Sequence, residues 1–70
     1  MKEEVQTVGQ DIINEIERVA ILRQEYLKIP TGFIAASMMQ ASIDAAKEAL
    51  NNSDVIAVLR AYEDLKGFTD

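Results

Sequence analysis

The sequence predicts an all-α protein: a three-helix antiparallel hairpin or bundle, with a long first and second helix, completed by homo-oligomerisation. Three observations lead there. Apolar residues recur at three- and four-residue spacing along most of the chain. Only two short stretches, Ile29–Gly32 and Asn51–Asp54, interrupt that rhythm. Finally, a 70-residue chain buries only about 60% of the surface its unfolded form exposes. With no Cys and no His to form disulfides or a metal site, association is the remaining staple.

The first helix is expected over about residues 3–28. Val5, Val8, Ile12, Ile13, Ile16, Val19, Leu22, Tyr26 and Leu27 share an arc of roughly 200°, wider than the ~100° stripe that docks on one neighbour. Thr7 and Gln10 have the form of a capping box beside Gly9, which predicts a continuous helix from near Val8 and a frayed turn or separate piece before it. Two residues break the pattern. Ile21 projects from the polar side, as a stray exposed aliphatic or an oligomer contact. Arg23 lies within the apolar arc. Its stem can cover the core while the guanidinium reaches water, or it can be presented to an anionic ligand or to a carboxylate across an interface.

Ile29-Pro30-Thr31-Gly32 ends this helix, since proline disfavours helical geometry in the residue before it. Thr31 is the expected N-cap of the next helix, and so short a link makes the two helices antiparallel neighbours. The second helix is expected over about residues 32–50. The run from Ile29 to Ile43 carries no charge. Ile34, Met38, Met39, Ile43 and Leu50, with six alanines, cover more than roughly 200° of its surface, as in a central helix contacted on most sides. The alanines favour helix and admit close neighbours. Ser42, the polar group on the buried side, is expected to bond the carbonyl four residues earlier.

Asn51-Asn52-Ser53-Asp54 reads as a stop followed by a start. Asn tolerates the left-handed conformation that closes a helix, and Asn52 or Ser53 is the expected cap of the third helix, with Asp54 in its first turn. That helix, about residues 54–66, places Val55, Val58, Leu59, Tyr62 and Leu65 on one face, with Gly67 suited to the position after its end and Phe68 to the hydrophobic contact that follows. At 1.5 Å per residue the three helices would be about 39, 28 and 20 Å long, so one end of the first is left bare unless another subunit covers it.

Composition narrows the chemistry. Without Cys or His, thiol catalysis, thiolate metal sites and the commonest general base and metal ligand are missing. The i,i+4 pairs Asp11/Glu15 and Asp44/Glu48 lack any calcium-loop context and read as solvated faces. Gly9, Gly32 and Gly67 are isolated, and Ser37, Ser42 and Ser53 have no evident base. The expectation is a protein that is not an enzyme and has no cofactor or metal. Twelve acidic against seven basic residues, net −5, argue against duplex nucleic acid. No stretch is apolar enough for a membrane span and the N-terminus lacks the apolar core of a signal peptide, so the chain is expected to work in the cytoplasm.

Binding remains. Met38-Met39 reads as core, or as a pliable docking surface. Tyr26, Lys28, Thr31 and Phe33 gather around the first turn, with Arg23 one helical turn before Tyr26. A helix N-terminus with nearby cations suits a phosphate and an aromatic can stack on a base, so these five are the candidate ligand-binding residues.

The run Ile34–Leu50, with Ser37, Met39, Ile43, Ala46, Ala49 and Leu50 in a comparable order of small hydroxyl, aliphatic and alanine positions, resembles the second helix of the helical-hairpin proteins that phages use as sponges for cyclic oligonucleotide signals of the CBASS immune system. The resemblance implies a homo-oligomer that holds ligands between subunits, with an aromatic for the base and cations for the phosphates. The expected function is therefore that of a phage accessory factor sequestering a cyclic nucleotide. The alternative is a small acidic interaction module or inhibitor of a host protein.

Overall fold

The computed structural model describes residues 2–69, with side chains from Gly9 to Thr69. It contains three helices, α1 (Lys2–Leu27), α2 (Phe33–Asn51) and α3 (Val55–Lys66), and among the described residues no strand. Each packs against the other two, with α2 the most fully contacted, in a body of 45 × 18 × 15 Å. The all-α antiparallel architecture is the one the periodicity predicts.

α1 runs without interruption through Thr7–Gly9, which corrects the expected start near Val8. A capping box acts only where backbone N–H groups lack partners, whereas one glycine inside a helix costs only about 1 kcal/mol. Val5 and Val8 lie outside the residues whose side chains are described.

The helix ends in a β-turn. The Gly32 N–H donates to the Ile29 carbonyl at 2.9 Å, with Pro30 in the second position, where its fixed φ suits the turn. Gly32, not Thr31, is the N-cap of α2, at φ −78° and ψ −10°, and no side chain caps the helix. Thr31 is exposed and sits one residue early. Glycine is needed here for space: a Cβ would overlap the Tyr26 carbonyl oxygen and lie 2.7 Å from its carbon.

The α2–α3 link is a Schellman closure. The Ser53 N–H reaches the Leu50 carbonyl at 3.2 Å and the Asp54 N–H reaches Ala49 at 3.1 Å. The left-handed residue is Ser53, at φ 53°, while Asn52 stays right-handed. Asp54 itself, rather than Asn52 or Ser53, caps α3, its carboxylate accepting from the Ala57 N–H at 3.2 Å. Gly67 also keeps a right-handed φ of −69°, yet Phe68 packs back onto the core as expected of that position.

The core consists of Ile12, Val19 and Leu22 from α1, Met39, Ile43, Ala46 and Ala49 from α2, and Val58, Ala61 and Leu65 from α3. The alanines decide its geometry. With Ala57 beside Ala45 and Ala49 of α2, α3 settles with Val58, Ala61 and Leu65 inward, and Val55 and Leu59 are exposed where the simple amphipathic face would bury them. Ser42 is half-buried, and the back-bond to the preceding turn is made instead by Ser37, whose hydroxyl donates to the Phe33 carbonyl at 2.9 Å.

Two substitutions test these turns. Gly32→Ala forces backbone apart and is expected to cost about 2–3 kcal/mol, lowering the melting temperature by roughly 10 °C or more in thermal unfolding followed by circular dichroism. Ser53→Gly relieves the left-handed strain and is expected to add about 0.5–1 kcal/mol, a rise of roughly 3–6 °C at equal protein concentration.

Candidate functional site

α3 has only 12 residues against 26 in α1, so it cannot cover the C-terminal part of α1. Where it stops, a groove of about 650 Å³ opens, lined by Arg18, Ile21, Leu22, Glu25, Tyr26, Lys28 and Ile29. These positions recur at three and four residues along one side of α1 and run into the turn.

Two of the five expected ligand residues, Tyr26 and Lys28, line this groove. Arg23, Thr31 and Phe33 lie outside its lining. Arg23 is half-buried, and among the described residues it makes neither an ion pair nor a side-chain hydrogen bond, as fits a stem laid over apolar neighbours. Thr31 is exposed and Phe33 is 60% exposed at the opening turn of α2.

The cation at the α3 end of the groove is Arg18, which the sequence reading did not single out. Its Nε and Nη2 donate to the two Glu15 carboxylate oxygens at 2.9 and 3.4 Å, and Nη2 also donates to the Leu65 carbonyl at 2.9 Å. That carbonyl belongs to the last turn of α3, where a positive group meets the negative end of the helix dipole. Spacing reveals the Glu15–Arg18 pair, but the third partner is 47 residues away and only folding brings it there. The Tyr26 hydroxyl donates to the Thr69 carbonyl at 3.2 Å. Arg18, Tyr26 and the packed Phe68 thus hold the segment after α3 along the groove.

Electrostatically the groove is balanced. Lys28 faces Glu25 at 3.6 Å with both side chains largely exposed, so this pair contributes little to stability. Arg18 and Lys28 each have a carboxylate partner, and an incoming anion would displace those carboxylates. Among the described residues no group of three or more acidic side chains gathers as a metal site, and no helix is long and apolar enough to cross a membrane.

No family model matches the chain, and comparison with curated proteins and with solved structures finds no match. The class defined by the fold is that of small three-helix proteins with a laterally open groove beside the end of a short third helix.

Arg18→Ala removes the bond from α1 to the end of α3 while Leu65 keeps the Phe68 N–H. The expected loss is about 1 kcal/mol, discounted for the partial exposure of the guanidinium. Amide hydrogen exchange should quicken mainly at Gly67–Thr69, and unchanged protection there would contradict a docking role.

Proposed function

We propose that this chain is a non-enzymatic binding protein that self-associates and acts by occupancy. The observation that carries this reading is the amount of large apolar surface left outside: Ile13, Ile21, Leu27, Ile29, Phe33, Ile34, Met38, Val55, Ile56 and Leu59 are each at least 42% exposed. Scattered exposed aliphatics are ordinary, but so many on so small a chain mark surfaces that meet a partner.

The ligand supported by the groove is a small anionic nucleotide. Tyr26 offers a ring for a base, and Arg18 and Lys28 offer charges for phosphates. This is the arrangement that the resemblance to the phage sponges for cyclic nucleotide signals implies, and on this reading the protein is an anti-defence accessory factor. A second reading has its own observation. Glu15 and Glu25 already pair with the cations, and Ile21, Leu22 and Ile29 contribute an apolar wall, which suits the side chains of a host protein better than a phosphate.

Thermal unfolding with cyclic di- and trinucleotides separates the two. A ligand at 100 times its Kd stabilises by about 2.7 kcal/mol, a rise of roughly 10 °C or more for this chain length. The shift should vanish in Tyr26→Ala and Lys28→Ala but persist in Arg23→Ala, which lies outside the lining. Assembly without any nucleotide response would exclude the sponge and leave the protein-binding reading.

A further inference from the structure

The outward side of α2 carries Ile34, Met38, Ala41 and Ala45, at spacings of four, three and four residues, the rhythm of a helix–helix seam. Ile34 and Met38 are 60% and 59% exposed, and the alanines are exposed too. We propose that this stripe is the contact between two copies of the chain, paired as antiparallel α2 helices about a two-fold axis that passes between Met38 and Ala41. The inference rests on the self-association reading above and gives it a surface and an orientation.

Shape selects the orientation. About that axis Met38 of each copy lies over Ala41 of the other, and Ile34 over Ala45, so every large side chain meets a small one. The same patch serves both copies, as an isologous interface requires. A parallel pair would set Met38 against Met38 and Ile34 against Ile34, and would leave the alanines facing a void.

Charge selects it as well. The chain is uncharged from Ile29 to Ile43 and none of Ile34, Met38, Ala41 and Ala45 carries a charge, with Asp44 beside the stripe rather than on it, so a chain of net −5 can meet itself there without setting acids in the seam. One step further along the stripe, Glu48 falls opposite Thr31 of the other copy. That is the start of α2, whose free N–H groups have no side-chain cap and carry the positive end of the helix dipole. In a parallel pair the two Glu48 carboxylates would oppose each other.

Sedimentation equilibrium and cysteine cross-linking test the proposal. The wild-type chain should have a mass at a multiple of 7.8 kDa. Met38→Glu and Ala41→Glu, checked for unchanged helicity, should each weaken association at least about 100-fold, while Gln24→Glu, exposed on α1 and outside the groove, leaves it intact. The chain has no Cys, so single-cysteine variants report orientation directly. Ile34→Cys mixed with Ala45→Cys should give the mixed disulfide, and neither should cross-link to itself, because like positions lie about 16 Å apart along the axis of an antiparallel pair. Self-linked Ala45→Cys overturns the antiparallel arrangement. An oligomer indifferent to Met38→Glu and Ala41→Glu overturns the seam but leaves self-association through another face. A wild-type monomer at micromolar concentration overturns both.

Discussion

The close approach of Gly32 to the Tyr26 carbonyl is the constraint on which the rest of the structure depends. With no side chain at Gly32, the chain reverses within a few residues and α2 starts against the end of α1. The antiparallel pairing then follows, and with it the meeting of Ile12 and Val19 with Met39 and Ile43. The second reversal uses a different device. Ser53 accepts a left-handed φ so that two α2 carbonyls are satisfied, and the next residue, Asp54, caps α3. Both links are short and hydrogen-bonded, so the directions of all three helices are set locally.

Unequal helix lengths turn this economical fold into one with open surfaces. α3 ends near Arg18, which fastens its last turn, and the side of α1 beyond that point becomes the groove. α2 has more apolar surface than α1 and α3 can cover, because the alanines on its inner side bring those helices close and leave Ile34 and Met38 outside. A fold that is thin in two directions cannot enclose all its aliphatic side chains. The stripe on α2 and the groove on α1 lie on different helices, so the proposed association and the proposed ligand capture need not compete.

Much of this was legible beforehand, for identifiable reasons. Periodicity located all three helices to within about a residue at the two links, because Pro30 and the Asn51–Asp54 cluster are strong punctuation. The caps were less legible: Thr31, Asn52, Ser53 and Asp54 are all plausible cap residues by type, and which of them serves depends on where each turn closes. The candidate site was half legible. Tyr26 and Lys28 could be placed near the turn by their number alone, but Arg23 and Arg18 differ by the direction in which α3 lies, and no spacing within α1 contains that information.

By itself, then, the sequence determined the helical class, the two reversals, the excess of apolar surface and the absence of thiol or imidazole chemistry, since these depend on residue type and on contacts a few positions apart. Tertiary structure alone decided that Gly32 rather than Thr31 begins α2, that Ser53 takes the left-handed turn, that Val55 and Leu59 stay outside, and that Arg18 is the cation joining α1 to the end of α3. The first two depend on how each short link closes on carbonyls a few residues back, and the last two on where the distant backbone of α3 comes to rest against α1 and α2.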